Sequence, residues 1–367
     1  MKVDQPLFFD VMSYANQADR DVIRMVSGNP DWEPPEALRE GIRQYADQDA
    51  DTFQYAPSVG LPRLREQIAK YHNVSEDRVI ITNGAGQANY LAMSIALDHT
   101  PSGEVFAPDP GYPYYQKRTP VLGGTLKKLT LDTDGAPDIN QLQQTVSEET
   151  AAIILNSPNN PTGKVYTAET VKKIVELAEQ NDVFVISDEV YHQFDYSGQF
   201  TSVLEFESSH GIITNSFSKS LAITGFRVGY SILPEPLVEE ARARNMLINV
   251  SVNRPGQAAV SHALNATDEA YFESNKHQLR ERVDTFVSVL EEYGVQCVRP
   301  EGGFYVRVYP ENLGGTLENA KLMIDSAGVA GMPSTAFGDD VDDWFRFALT
   351  TDRISDAAHR LGEYFVD

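Results

Sequence analysis

The sequence has almost no cysteine and no long apolar run. Cys297 is the single cysteine of 367 residues, which excludes an intramolecular disulfide framework and a cysteine-rich metal site. Apolar runs such as 151–155 and 183–186 are the length of strands and fall far short of the ~20 residues that a membrane helix requires. The N-terminus has no basic segment followed by an apolar stretch, so no signal peptide is predicted. We therefore expect a cytoplasmic protein.

Positive charge is also scarce. The chain has 30 Lys and Arg against 53 Asp and Glu, which gives a formal net charge of -23. This balance argues against binding to nucleic acid or an anionic membrane, because both are bound through clustered Lys and Arg. The acids are spread along the chain, which fits either a salt-rich cytoplasm or an ordinary acidic protein. Unfolding measured across a salt series distinguishes these two alternatives.

The remaining pattern predicts an α/β protein. Short apolar strands alternate with helical segments through the middle of the chain, which is typical of a mostly parallel sheet flanked by helices. The pattern then changes to short strands between helices, and this change predicts a smaller α/β domain. We expect a large domain at 36–250 and a small domain formed by 1–35 with 251–367. The strand candidates of the large domain are 79–82, 104–107, 151–155, 183–187, 211–214 and 227–233.

Lys219 is a candidate nucleophile. It is one of only 11 lysines, and it follows the apolar strand 212–215 among small hydroxyl residues. Asp188 ends another apolar strand, where an ionised carboxylate is costly unless a cation pairs with it. A protonated pyridine nitrogen is such a cation, although an Asp that caps the next turn is the simpler alternative. Lys219 is therefore predicted to form a Schiff base beside a ring held by Asp188.

Several strand ends supply groups that suit the rest of such a ligand. The turn Gly84-Ala85-Gly86 opens a helix with small residues, so its amides and the helix dipole favour an anion. On its own this turn does not indicate a ligand, because glycines before a helix are most often there to form the turn. Ser216, Ser218 and Arg227 add hydroxyl and guanidinium donors for the same anion. Tyr112 offers an aromatic face, and Asn160 and Tyr191 are two candidate donors to a phenolate oxygen. Together with Lys219 and Asp188 they compose a receptor for pyridoxal 5'-phosphate.

Ordered motifs extend this pattern over nearly the whole chain. They are Gly28-Asn-Pro30, Tyr55-Ala-Pro-Ser-Val-Gly60, Gly84-Ala-Gly-Gln-Ala88, Pro110-Gly-Tyr-Pro113, Asn159-Asn-Pro-Thr-Gly163, Ser187-Asp-Glu-Val-Tyr191, Ser216-Phe-Ser-Lys219, Gly225-Phe-Arg227, Pro300-Glu-Gly-Gly-Phe-Tyr305 and Phe345-Arg-Phe347. In these residues the chain resembles the fold-type I pyridoxal-phosphate-dependent aminotransferases of class I/II, the aspartate aminotransferase superfamily. The resemblance implies exchange of an amino group between an L-amino acid and a 2-oxo acid.

The resemblance also implies a role for each matching residue. Lys219 would form the internal aldimine and move a proton at the substrate Cα. Asp188 would pair with the pyridine nitrogen, Tyr112 would stack on the ring, and Tyr191 and Asn160 would contact its oxygen. The phosphate would be held by Ala85, Gly86, Ser216, Ser218 and Arg227. Tyr55 would reach the phosphate from the other subunit, which implies a homodimer with shared active sites.

Substrate binding is implied at one further group of residues. Arg346 would bind the α-carboxylate, a task that suits a planar bidentate donor, and Gly28 with Asn160 would complete that pocket. An arginine paired with the acids that precede it is the alternative for Arg346. Its apolar neighbours in 344–349 favour an inward-facing strand.

The chain departs from the family pattern at three places. The segment Pro333-Ser-Thr-Ala-Phe-Gly338 lacks a usual glycine, and the arm before Gly28 is short. The nearest register puts Ile248 where dicarboxylate-specific relatives have an arginine, although Arg254 lies near, so aspartate specificity is not supported by that motif. Two other functions stay open: a carbon-sulfur lyase or other eliminating or decarboxylating enzyme of the same fold, and a regulator that uses the fold as a sensor.

Overall fold

The computed structural model describes residues 5–101, 103–132, 134–338 and 343–366. Its α-helices are α1 (Leu7–Gln17), α2 (Glu36–Ala46), α3 (Pro62–His72), α4 (Ala85–His99), α5 (Pro113–Val121), α6 (Ile139–Thr145), α7 (Ala168–Gln180), α8 (Phe217–Ser220), α9 (Val238–Asn249), α10 (Arg254–Ala266), α11 (Glu269–Glu292), α12 (Leu317–Ala327) and α13 (Ile354–Val366). Its strands are β1 (Ile23–Arg24), β2 (Val79–Thr82), β3 (Glu104–Asp109), β4 (Thr125–Thr130), β5 (Thr150–Asn156), β6 (Phe184–Asp188), β7 (Gly211–Ser216), β8 (Gly229–Ile232), β9 (Gln296–Val298), β10 (Tyr305–Tyr309), β11 (Val329–Ala330), β12 (Met332–Pro333) and β13 (Phe345–Ala348). The mixed α/β class predicted from the sequence is confirmed.

The largest sheet among the described residues has seven strands. Its order is β2-β8-β7-β6-β5-β3-β4. All neighbouring strands run parallel except β8, which is antiparallel to both β2 and β7. Parallel strands require crossover connections, and the intervening helices supply them. The carboxyl ends of β3, β5, β6 and β7 therefore meet at one edge of the sheet.

The two faces of this sheet are covered by separate apolar clusters. Along β5, Ile153 points to one cluster and Ile154 to the other, and Val185 and Ile186 do the same along β6. This alternation follows from the two-residue period of a strand. Helices such as α7 cover one face and α4 covers the other. Burial on both faces explains why these strands read as continuous apolar runs in the sequence.

A second core lies around the four-stranded antiparallel sheet β12-β13-β10-β9. It joins residues of α1 near the N-terminus to residues of α11, α12 and α13. The helix α10 packs Ala259, Val260 and Ala263 into the cluster of the large sheet, and α11 contacts both cores. The division at residue 250 stays a prediction.

The structure also contains no helix suited to a bilayer. Across the part of the chain that it describes, no helix is both long enough and apolar enough to cross a membrane.

Candidate active site

The strand ends and the N-terminus of α4 open onto a cavity of about 310 Å³. With the exception of Tyr55, every residue that the sequence assigned to the site lines this cavity: Gly28, Ala85, Gly86, Tyr112, Asn160, Asp188, Tyr191, Ser216, Ser218, Lys219, Arg227 and Arg346. Ligands of open α/β sheets collect at this edge because helix N-termini and loop amides converge there. The fold thus brings the predicted set together from distant parts of the chain.

Lys219 lies in α8, directly after β7. Its Nζ donates a hydrogen bond of 2.7 Å to the carbonyl oxygen of Gly28. Burial, followed by the positive charges of Arg346 and Arg227, lowers the pKa of the Lys219 ammonium to about 8, while the negative charge of Asp188 opposes this shift. A lysine with a lowered pKa holds more neutral amine near physiological pH, and the neutral amine is the nucleophile.

Asp188 is a buried carboxylate at the end of β6. It is 3% exposed, and its Oδ2 accepts hydrogen bonds from Tyr115 Oη at 2.6 Å and Asn89 Nδ2 at 2.7 Å. Burial raises the pKa of Asp188, while these two hydrogen bonds and one from the Val190 amide lower it. Within the described ranges no cation forms an ion pair with it. A buried carboxylate in such surroundings is suited to a cationic partner that comes from a ligand.

The first turn of α4 and Arg227 form a cup that is suited to an anion. Gly84 precedes it with φ +74, and a Cβ on Gly84 would lie 2.5 Å from Arg227 Nη2, so a side chain there would displace the guanidinium. Arg227 is held by a 2.9 Å hydrogen bond from its Nη1 to the carbonyl oxygen of Thr224. The first amides of a helix have no carbonyl inside the helix to bind, and the helix dipole adds positive potential. Ser216 and Ser218 line the same part of the cavity.

Arg346 lies on the central strand β13 and is 5% exposed. Its Nη1 donates to Asn160 Oδ1 at 2.8 Å, and its Nη2 donates to the carbonyl oxygen of Val26. The guanidinium carbon lies 4.1 Å from the ring centre of Tyr305 and 4.8 Å from that of Phe337. Its Nε is buried without an acceptor among the described residues. A guanidinium held this way is prepared to bind one more anionic group.

Two pairs of tyrosines and one glycine shape the space between these groups. Tyr112 stacks on Tyr114 with ring centres 4.9 Å apart. Tyr191 and Tyr305 share a hydrogen bond of 3.0 Å between their hydroxyls. A Cβ on Gly28 would lie 2.0 Å from Tyr305 Oη, so only glycine fits beside that hydroxyl.

Sequence reasoning missed several residues of the cavity. They are Asn89, Tyr115, Phe337 and the N-terminal Pro6, Leu7 and Phe8. Asn89 could have been identified from the sequence, because it is a polar residue inside an apolar helix. The N-terminal residues had none: the arm before Gly28 is short, but it folds into α1 and lines the cavity. Tyr55 lies outside the cavity of its own chain and is 82% exposed.

Comparison with known proteins assigns the family. Residues 20–361 match the family described as aminotransferase class I and II. The chain belongs to this family. A probable aspartate/prephenate aminotransferase of Aquifex aeolicus is 32% identical to it over 93% of this chain and 90% of the relative. The predicted transaminase activity and the predicted fold are thereby confirmed.

Solved structures agree. A Thermus thermophilus aspartate aminotransferase mutant superimposes with a TM-score of 0.92 at 27% identity, over 98% of this chain and 97% of that one. YbdL of Escherichia coli, described with a methionine aminotransferase function, gives 0.91 at 28% identity, over 99% of this chain and 97% of that one. Class I and II aminotransferases depend on pyridoxal phosphate and act on amino acids and 2-oxo acids. Similar chains thus serve amino acids with different side chains.

Proposed function

We propose that the cavity binds pyridoxal 5'-phosphate and transfers the amino group of an L-amino acid with an uncharged side chain to a 2-oxo acid. The observation that supports this most is the grouping of four features around one cavity. These are the Lys219 amine, the Asp188 carboxylate, the anion cup at Arg227 and the Arg346 guanidinium. Each of them matches one part of the cofactor or of the substrate.

The donor set fits the cofactor group by group. Asp188 would pair with the protonated ring nitrogen, and the hydrogen bonds that it accepts from Asn89 and Tyr115 fix the orientation of its carboxylate. The first turn of α4 with Arg227 provides donors for a phosphate dianion. When bound, pyridoxal phosphate supplies the carbonyl that accepts the amino group and a ring that delocalises charge from Cα.

The protein residues carry out the proton and binding steps. Arg346 and Asn160 bind the α-carboxylate and so set the orientation of the Cα–H bond. Lys219 Nζ removes the proton from Cα and returns one later, a task that matches its pKa near the operating pH. Tyr191 acts as a donor at the ring oxygen through a hydroxyl positioned by Tyr305.

The lining of the cavity suits a substrate with an uncharged side chain. Leu7, Phe8, Tyr114, Met332 and Phe337 are apolar or aromatic residues of this lining. The cations among the lining residues are Lys219, Arg227 and Arg346, and each has a role above. Burying a second carboxylate without a cation costs several kcal/mol. Ile248, the residue at the place of the dicarboxylate arginine, is apolar.

The half-reaction tests both parts of this proposal. We expect amino acids with apolar or aromatic side chains to convert the bound cofactor to its pyridoxamine form, and added 2-oxo acids to reverse the change in absorbance. Aspartate should react at least about 10-fold less efficiently, because the described residues that line the cavity include no further cation for its second carboxylate. Steady release of ammonia and a 2-oxo acid without an acceptor would instead show an eliminating enzyme. Faster reaction of aspartate than of phenylalanine or methionine would contradict the assignment of an uncharged side chain.

We further propose that the active unit is a homodimer in which Tyr55 acts at the partner's phosphate site. Tyr55 and Phe53 are exposed beside Leu247 and Val250, which are 81% and 60% exposed. A 2.8 Å hydrogen bond from Asn245 to the carbonyl oxygen of Ser58 brings these two segments together. Exposed apolar side chains on two neighbouring segments are typical of a subunit interface.

Hybrid dimers test the shared site. Tyr55→Ala and Lys219→Ala chains are each expected to be impaired, and unfolding and refolding their mixture should restore about a quarter of wild-type activity. Half of the randomly formed dimers then contain one intact site of two. Mixing either variant with itself provides the control. Recovery no greater than that of the separate variants would show that Tyr55 does not act across the interface.

A further inference from the structure

Arg118 is a cation beside the cavity that no motif predicted. It lies in α5, and its guanidinium carbon is 5.3 Å from the centre of the Tyr114 ring, which holds it by a cation–π contact. Its Nη1 is buried without an acceptor among the described residues. A buried donor without an acceptor destabilises the protein, because it has lost its hydrogen bonds to water and gained none in return. A guanidinium that is buried with an unpaired donor points to a ligand that binds beside it.

The neighbour of Arg118 identifies the chemistry of that ligand. A Cβ on Gly86 would lie 3.3 Å from Arg118 Nη2. Gly86 belongs to the first turn of α4, and Gly84 directly precedes that turn. A Cβ on Gly84 would lie 2.5 Å from Arg227 Nη2. Two arginines thus flank three consecutive residues at a helix N-terminus. Such a site favours a group with more than one negative charge.

The charges of the site agree with this location. Arg118 is close enough to lower the pKa of Asp188, against the larger effect of burial, and it acts in the same direction on Tyr112. The phosphate of the cofactor carries about two negative charges at neutral pH, as phosphate monoesters do. Arg227 alone neutralises one of them.

We propose that Arg118 is a second phosphate-binding arginine, which completes the cup that α4 and Arg227 begin. The proposal rests on the proposed binding of pyridoxal phosphate. The Arg118 guanidinium acts on the Gly86 side of the turn, with Nη2 nearest to Gly86 and with Nη1 lacking an acceptor among the described residues, while Arg227 acts on the Gly84 side. Tyr114 has a positioning role, because its ring keeps the guanidinium beside Gly86.

Cofactor affinity measured on the apoprotein tests this role without reference to turnover. In Arg118→Met the dissociation constant for pyridoxal phosphate should rise about 10- to 100-fold, as expected for a charge-assisted hydrogen bond. The affinity for pyridoxal, which has no phosphate, should not change. Inorganic phosphate should compete with pyridoxal phosphate more weakly in the variant than in the wild type. Arg118→Lys should show an intermediate loss, because it keeps the charge but not the planar donor pair.

Lys117→Met is the matched control, because it removes one positive charge from the adjacent position of α5. It should leave all three affinities at wild-type values, and thermal unfolding should show that each variant is folded. Equal loss of affinity for pyridoxal and pyridoxal phosphate, or no loss of either, overturns the proposal. Unchanged cofactor affinity with selective loss of dicarboxylic substrates also overturns it and places Arg118 at the substrate side chain. Failure of the wild-type apoprotein to bind pyridoxal phosphate would instead reject the proposed function itself.

Discussion

Replacing Lys219 with Ala is expected to lower kcat/KM by about 10²- to 10⁴-fold, the contribution of a positioned general acid and base. The variant should also lose the absorbance of a cofactor joined to a lysine, because the other lysines are not among the residues that line the cavity. The chain should still fold, since Nζ makes a single hydrogen bond, to the Gly28 carbonyl oxygen. Steady-state kinetics and the absorbance spectrum of the purified variant measure the two effects.

Two comparisons make this result specific to the Lys219 amine. Lys172→Ala removes a surface lysine that faces Glu176 at 3.7 Å, and it should keep wild-type rates. A small added amine should restore part of the rate of Lys219→Ala, because it can enter the space left by the side chain. Full turnover of Lys219→Ala would remove this residue from the mechanism.

The lowered pKa of Lys219 adds a pH dependence to the same prediction. Burial keeps the pKa at about 8, so the neutral amine increases as the pH rises through 8. The rate at which the wild-type apoprotein captures pyridoxal phosphate should therefore rise over this range and level off above it. For an exposed lysine, with the usual pKa of about 10.4, the capture rate would rise at a pH about two units higher.

The sequence predicted the parts of the site that follow buried parallel strands. Runs such as 151–155 and 183–187 are apolar on both faces, and this character requires a covered central strand. Because such strands end at one edge, the residues that follow them can be grouped from the order of the chain alone. The edge strand β4 was not predicted, since its sequence Thr125-Leu-Lys-Lys-Leu-Thr130 is mostly polar and its residues are mostly exposed.

The contacts that connect distant segments could not be predicted in this way. Asn89 and Tyr115 reach Asp188 from 99 and 73 residues away, and neither belongs to a motif. Arg118 was missed for a related reason: it acts from a helix that begins one residue after Tyr112, outside the strand-end pattern. Local patterns determine the elements, whereas such pairs depend on how α4 and α5 pack against the sheet.

For Arg346 the sequence left two alternatives, and the packing of β13 favours the inward-facing one. Apolar residues on both sides predicted a buried strand, and the guanidinium lies between the rings of Tyr305 and Phe337. None of the ion pairs within the described ranges includes it. Burial lowers the pKa of Arg346, but a guanidinium stays protonated at physiological pH. The cost of burying this charge is offset when an anion binds it.

Replacing Arg346 with Leu is therefore expected to lower kcat/KM for amino acids by about 10²- to 10³-fold, which corresponds to loss of one partner of a buried charged pair. Arg346→Lys should recover only part of this loss, since an ammonium cannot make the two parallel hydrogen bonds of a guanidinium. Affinity for pyridoxal phosphate should remain at the wild-type value, because Arg346 lies at the substrate end of the cavity. This separates its role from those of Asp188 and Arg227.

A substrate without the carboxylate provides the decisive comparison. The wild type should strongly prefer phenylalanine to phenylethylamine, because only phenylalanine presents a carboxylate to Arg346 and Asn160. In Arg346→Leu this preference should fall by the same factor as kcat/KM for phenylalanine, since the remaining contacts to both molecules are unchanged. If the preference persists in the variant, the α-carboxylate is bound elsewhere and Arg346 supports the fold through its hydrogen bonds to Asn160 and Val26.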